Sequence, residues 1–218
     1  MSINNIQVGV VGGAGYTGGE LLRLLVNHPN VEINFVYSST RAGKAISETH
    51  PDLAGILDLP FSAELNPEID VLFLCMGHGN SATFLHEHTV NDNTKIIDLS
   101  NDFRLAADRN FMGRSFVYGL TEVNKSQIKS ALAIANPGCF ATAIQLALVP
   151  LASAGKLQNE VHVNAITGST GAGAVPSATS HFSWRNNNIS YYKPFTHQHL
   201  GEIGETCLLY TSPSPRDR

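Results

Sequence analysis

The stretch from Ile6 to Gly18, IQVGVVGGAGYTG, leaves a chain of this kind few choices of fold. Ile6–Val11 is short, apolar and β-branched, the pattern of a strand buried in a parallel sheet. Gly12, Gly15 and Gly18 follow at once, with Tyr16 and Thr17 between the last two. Glu20 to Val26 then places its leucines on one helical face. Strand, glycine turn and helix in that order lift a glycine pattern above chance and point to an α/β architecture. The spacing is GxxGxxG, not GxGxxG, but the physical use is similar. It allows a tight turn, close backbone approach to a pyrophosphate, and N–H donors at a helix N-terminus. A glycine-rich turn that holds no nucleotide is the competing reading. On the first reading, Gly12, Gly15, Tyr16, Thr17 and Gly18 are cofactor-binding candidates.

Asn27-His28-Pro29-Asn30 stops the helix, and Val31–Tyr37 reads as the next strand. Where an NAD-binding fold keeps an acidic residue for the ribose, this chain has Ser38-Ser39-Thr40-Arg41, with Lys44 close behind. Hydroxyls and an arginine suit a 2′-phosphate, so Ser38 and Arg41 indicate NADP over NAD; an ordinary polar loop is the alternative. Ala42 to Pro67 is expected to be irregular, with a short strand near Ile56–Leu59. Asp70–Cys75 and Lys95–Leu99 read as further buried strands. The loop from Met76 to Ser81 between them is a candidate nicotinamide wall. Ser81 is the expected cap of a helix over Ala82–His88, and His78 is either a catalyst or a hydrogen-bonding spacer. Arg104, beyond a strand end, can clamp a phosphate or carboxylate; a salt bridge to Asp102 or Asp108 is the alternative. Thr121 is the expected cap of a helix running to Ser130, and Ala131–Ala135 is the last strand of this half.

Asn136-Pro137-Gly138-Cys139-Phe140-Ala141-Thr142 joins that strand to an apolar helix ending near Ala154, with Pro150 as a kink or early stop. A cysteine at such a junction meets orphan N–H groups and the positive end of a helix, which favour an anionic sulfur. Cys139 is therefore a candidate nucleophile; a small buried cysteine closing a core strand is the alternative. Past Lys156 the pattern changes period. Glu160–Thr167 alternates like a half-exposed strand and suggests a second domain with an antiparallel sheet. Gly168 to Gly173 forms a second glycine-rich loop, able to fold over a cofactor or position backbone donors; Gly171 and Ser169 are its candidates for cofactor and substrate contact. His197, His199 and Glu202 lie together downstream. No third ligand is convincingly spaced for a metal, so an acid/base role beside the Cys139 thiol is the stronger reading, with spacing silent on which histidine serves.

Composition excludes more than it selects. A net charge of −4 with no basic stripe gives no reason to expect nucleic acid, and no segment reaches the length of a membrane span. Cys75, Cys139 and Cys207 are scattered without CxxC spacing, which argues against a disulfide framework or zinc site and suits a reducing compartment. With no basic, apolar leader at the N-terminus, a cytoplasmic enzyme is expected.

Taken together, GGAGYTGGELLRLL (12–25), the HP pair (28–29), SSTRAGK (38–44), IIDLSNDFRL (96–105), YGLTEVN (118–124), ANPGCFATA (135–143), TGSTGAG (167–173) and THQHLGEI (196–203) resemble the N-acetyl-gamma-glutamyl-phosphate reductases. These are NADPH-dependent enzymes of arginine biosynthesis within the semialdehyde dehydrogenases, and the resemblance runs from about residue 6 to residue 205. It implies an NADP-binding Rossmann domain over 1–138 and the first part of an α+β substrate and oligomerisation domain over 139–205. It also implies Cys139 as the acyl-accepting nucleophile, His199 or His197 as acid/base, and Arg104, Ser169 and Glu202 at the substrate, an acyl phosphate. A homo-oligomer is expected of the family at full length. Residues 206–218, ending Ser-Pro-Ser-Pro-Arg-Asp-Arg, do not fit the pattern and read as a non-native tail on a truncated chain. Aspartate-semialdehyde dehydrogenase, an aminoadipate-pathway reductase and a catalytically silent nucleotide-binding module are the rival readings.

Overall fold

The computed structural model describes residues 5–157 and 160–208. β1 (Ile6–Val11) leads through the glycine turn to α1 (Tyr16–Leu25) and β2 (Val31–Tyr37). β3 (Val71–Leu74), α2 (Asn80–Glu87) and β4 (Lys95–Asp98) follow, then a hairpin of β5 (Asn110–Phe111) and β6 (Arg114–Tyr118). α3 (Thr121–Ser130), β7 (Ala133–Ala135) and α4 (Cys139–Ser153) complete this part, and α5 (Phe182–Arg185) and α6 (His199–Leu208) lie beyond it.

One seven-stranded sheet in the order β2-β1-β3-β4-β7-β6-β5 holds the molecule together, parallel throughout except for β5. This is the α/β, Rossmann-type architecture expected from the glycine turn. The chain passes from β1 to β2 on one side and returns to lay β3 on the other. That reversal is a topological switch point, and ligands bind beyond the strand C-termini there. The strands are apolar because helices and loops cover both faces: Val8, Val10, Leu72, Leu74 and Ile96 are at most 1% exposed. Leu22 and Leu25 of α1 pack with Val36, Ile46 and Phe61. Phe103 stacks on Phe116 with centroids 4.0 Å apart, and that anchor holds the chain just before Arg104.

Several local expectations are corrected. Ile56–Leu59 is not a strand; the connection folds instead into 3₁₀ turns at Ile46–Glu48 and Pro51–Leu53, with single bridges at Ala45–Pro60 and Tyr37–Ser62. Ser81 does not cap α2. The helix begins two residues earlier than expected, at Asn80 with Gly79 in the cap position, and Asp102 accepts from the Gly79 and Ala82 N–H groups at 2.6 and 3.0 Å. Thr121 is the first residue of α3 and its hydroxyl bonds Glu122, leaving Leu120 in the cap position. Pro150 does not stop α4, which runs on to Ser153. Glu160–Thr167 forms no strand and pairs with no described segment; all of it is exposed. Thr206 and Cys207, assigned to the tail by the sequence, are buried in the last turn of α6. The rest of that tail, 209–218, lies outside the described residues.

Candidate active site

Pro137 and Gly138 turn the chain from β7 into α4, so Cys139 is the first helical residue and sits at the C-terminal edge of the sheet, next to the end of β4. Its side chain is exposed, whereas Cys75 and Cys207 are buried. That exposure overturns the core-cysteine reading. Burial, helped by Asp98, pushes the Cys75 thiol up to about 12, and burial raises Cys207 as well, which leaves both poor nucleophiles.

α6 packs across α4 and brings His199 to the same junction. The His199 ring, 4% exposed, lies directly on Gly138: a Cβ at that position would fall on Nε2. Only glycine lets the imidazole approach the backbone one residue before Cys139. Burial above all, with the nearby His197, Arg104 and His78, outweighs Glu202 and draws the His199 pKa down to about 4. The ring is thus neutral near pH 7. Its Nδ1 is buried without a hydrogen-bond partner among the described residues.

His197 is half-buried, its ring 4.4 Å from that of His199 and edge-on to Phe140 and Tyr192. Its Nδ1 accepts the His199 N–H at 3.2 Å, satisfying the first turn of α6, and burial with Lys193 lowers its pKa. His78 is a spacer: Nδ1 accepts the Asn101 N–H at 3.1 Å and Nε2 lies 3.3 Å from Gln198 Nε2. Among the described residues no group of three or more His, Cys, Asp and Glu side chains converges on a point a metal could occupy.

Glu202, 3% exposed, ties these parts together. Oε2 accepts from the Gly138 N–H at 2.9 Å and from the Tyr118 hydroxyl at 2.8 Å, while Oε1 accepts from Arg104 Nη1 at 3.0 Å. Arg104 donates its other groups to the carbonyls of Asn136 and Leu99, at 2.8 and 2.9 Å. Two expectations change here. Arg104, 4% exposed, is fully engaged within the protein and does not present a free guanidinium to an anion. Its acidic partner is neither Asp102 nor Asp108 but a glutamate 98 residues along the chain. Glu202 is likewise spent on protein donors and not offered to substrate. Ser169 and Gly171 sit in an outer 3₁₀ turn and make no hydrogen bond to this cluster.

Sequence reading missed Tyr118 and Gln145. Gln145 is fully buried in α4 with Oε1 3.0 Å from the Tyr118 hydroxyl, whose one proton goes to Glu202, and its amide donates to the Glu202 carbonyl and Thr206 Oγ1 at 2.9 Å. An amide alone in the apolar run from Phe140 to Ala152 was the available signal. Burial and the Glu202 charge raise the Tyr118 pKa, so it stays a donor.

The dinucleotide candidates line the switch point. Gly12 has φ +79, and a Cβ there would fall 2.8 Å from the Cys75 carbonyl, so β1 and β3 end in near contact. Gly18 packs on Gly12 and Gly13 as closely, at 2.6 Å for an added Cβ. Gly15 is the cap residue of α1, whose first turn carries no acidic side chain and no side-chain cap, leaving its N–H groups for an anion. Tyr16 is 51% exposed beside them. Ser38 is buried at the end of β2 with Oγ 3.5 Å from Thr40 Oγ1, and Arg41 and Lys44 are exposed, forming no ion pair among the described residues. The set fits a dinucleotide with a 2′-phosphate.

Residues 7–131 match the semialdehyde dehydrogenase NAD-binding domain, and residues 139–214 match the dimerisation domain of the same enzymes. The chain is 62% identical over 203 residues to N-acetyl-gamma-glutamyl-phosphate reductase of Flavobacterium johnsoniae, an alignment covering 93% of this chain and 62% of that protein. The chain therefore spans under two thirds of the relative it matches. Among solved structures it is similar to aspartate semialdehyde dehydrogenase II of Vibrio cholerae, at TM-score 0.54 and 18% identity over 78% of this chain and 48% of that one. It is also similar to the aspartate semialdehyde dehydrogenase of Candida albicans solved with NADP, at TM-score 0.51 and 18% identity over 71% of this chain and 48% of that one. These two likenesses concern the fold.

Proposed function

The chain belongs to the semialdehyde dehydrogenase family, and on that premise we propose that it carries the catalytic centre of an NADPH-dependent N-acetyl-glutamyl 5-phosphate reductase of arginine biosynthesis. The observation that carries this reading is the exposed Cys139 at the start of α4 with a buried, neutral His199 against the preceding glycine. The identity to the Flavobacterium johnsoniae reductase supports the N-acetyl-glutamyl group over that of aspartate semialdehyde.

His199 takes the Cys139 proton, and Sγ attacks the acyl carbon. The C–O bond to phosphate breaks, inorganic phosphate leaves, and a thioester remains on Cys139. The unbonded N–H groups at the start of α4 face the oxygen that gains charge as sulfur adds. NADPH, when bound, supplies the hydride that brings the acyl group to the aldehyde level. Gly12, Gly15, Tyr16, Thr17 and Gly18 would hold its pyrophosphate, and Ser38 and Arg41 its 2′-phosphate. His199 passes the Cys139 proton to the departing phosphate, and a proton drawn from solvent returns through it to Sγ as the C–S bond breaks and the aldehyde leaves. His197 caps α6 and sets the position of His199.

The division at residues 1–138 and 139–205 belongs to the same proposal, as does assembly with a second copy through the later segment. Ile166, Ile189, Tyr191 and Phe195, each at least 93% exposed, support such an assembly. A cytoplasmic setting accords with the free thiols.

The test is phosphate-dependent reduction of NADP+ by N-acetyl-glutamate 5-semialdehyde, with aspartate semialdehyde as comparison. Cys139→Ser is expected to lose about 10³-fold or more in kcat with NADPH affinity retained. Undiminished turnover in that variant would sink the reading.

A further inference from the structure

The connection between β2 and β3, featureless as sequence, holds a buried histidine. His50, 6% exposed, sits between the two 3₁₀ turns and places Nε2 2.8 Å from the Gly13 carbonyl oxygen, inside the glycine turn. A carbonyl only accepts, so Nε2 bears the proton and donates. The ring lies against Gly19 in α1, where a Cβ would fall 2.5 Å from Cε1 and 2.8 Å from Nδ1. The segment carrying the ring is itself held. Ile46 and Leu53 are 0% and 2% exposed, and Asp52 takes Arg23 of α1 in a two-pronged pair at 2.6 and 2.9 Å.

A peptide unit is planar and trans, so its C=O and N–H point opposite ways. Holding the Gly13 carbonyl toward His50 turns the Ala14 N–H away from it. That N–H has no hydrogen-bond partner among the described residues, while the Gly15 N–H next to it is committed to the Gly12 carbonyl at 3.2 Å. Gly12 and Gly13 give this peptide little orientation of its own, since glycine samples most of backbone space. The orientation comes from the imidazole.

We propose that His50 is a positioning residue for the dinucleotide: it fixes the Gly13–Ala14 peptide so that the Ala14 N–H is presented to the cofactor's pyrophosphate. This rests on the NADP reading above. His50 touches no reacting atom; it works through the turn. Gly19 has the complementary task of leaving room for the ring.

NADPH binding to the full chain, followed by nicotinamide fluorescence, tests this. His50→Leu is expected to weaken NADPH about tenfold or more, the loss of one aligned donor, whereas His50→Gln keeps an N–H donor and stays within about threefold of wild type. The rate of Cys139 alkylation by iodoacetamide is expected to be unchanged in both. Gly19→Ala displaces the ring while favouring the helix, so weaker NADPH binding there covers the case in which His50→Leu does not fold. Wild-type affinity in His50→Leu and Gly19→Ala, or equal losses in the Leu and Gln variants, overturns the positioning role alone. Wild-type protein that is folded yet binds no NADPH overturns the dinucleotide reading and this proposal with it.

Discussion

Removing the Glu202 carboxylate is the most informative single perturbation, because one side chain there serves Arg104, Tyr118 and Gly138 at 3.0, 2.8 and 2.9 Å. In Glu202→Gln the amide oxygen can face Arg104 or the pair of donors on the other side, not both. The cheaper choice keeps it on Arg104 and lets the Tyr118 hydroxyl rotate toward Gln145. The Gly138 N–H then meets an NH2 group and goes unsatisfied, at roughly 1–3 kcal/mol. Loss of the charge opposite Arg104 adds to this, since breaking a buried pair costs about 3–5 kcal/mol when one ion is left alone. Arg104 retains two carbonyl partners, so the two costs overlap, and a total of about 3–5 kcal/mol is expected, a large part of the ~5–15 kcal/mol that holds a typical domain.

The reasoning is checked by a double-mutant cycle. Arg104→Met alone leaves the Glu202 charge buried and should cost a comparable amount. The Arg104→Met, Glu202→Gln pair removes both charges and should cost little more than either single change, giving a coupling of about 2–4 kcal/mol. Urea unfolding with matched m-values measures it. Additivity within about 0.5 kcal/mol would refute the pair as the element that docks α6 on the sheet.

Four further outcomes follow. The lowered pKa of His199 means that the unfolded chain binds more protons than the folded one between about 4 and 6.5, so stability falls as pH drops through that window; His199→Gln should flatten the curve by up to about 3 kcal/mol, read from urea midpoints against pH. Gly138→Ala must push the His199 ring aside, and kcat should drop roughly 10²-fold with NADPH affinity intact, measured by steady-state rates and fluorescence titration. Gly12→Ala puts a side chain at φ +79 and against the Cys75 carbonyl, which should cost about 1–2 kcal/mol and weaken NADPH binding. Iodoacetamide should label Cys139 well before Cys75 or Cys207 by peptide mass mapping, since only the first is exposed.

What the sequence made legible was local. β1, β2 and α4 announce themselves because the apolar run and the glycine or proline that ends it lie side by side. The β5–β6 hairpin did not, because its turn is Met112-Gly113, both at positive φ, where Asn or Asp would have been the signal. Cap assignments failed for a related reason. Ser81 and Thr121 sit near helix starts, but Ser81 Oγ donates to the buried Asp98 at 2.5 Å and Asp102 supplies the cap from 20 residues away. Alternation over Glu160–Thr167 promised a strand, yet a period-2 pattern records only compatibility with a sheet and says nothing of an available edge. Arg104 offers an anion clamp or a bridge to Asp102 or Asp108 as local readings, because its actual partner lies 98 residues away in sequence. His50 carried no pattern at all.

These distant pairings also join three short motifs of this chain into one arrangement. A helix start leaves orphan N–H groups, and at α4 the first of them, on Gly138, is taken by Glu202. The amides of Cys139, Phe140 and Ala141 precede the first helical bond, which Thr142 makes to the Gly138 carbonyl at 2.8 Å, and in the proposed mechanism they serve the developing oxyanion. Had Glu202 come without Arg104, a bare carboxylate would sit where the proposed mechanism has negative charge grow; Arg104 alone would be a buried cation without a partner. The Phe103–Arg104 segment, the Gly138–Cys139 turn and the His199–Glu202 turn thus each carry one part of a single electrostatic arrangement. Glycine at 138 allows the imidazole in, the glutamate holds α6 to the turn, and the arginine balances the glutamate. A change in one segment is therefore felt at the cysteine through the other two.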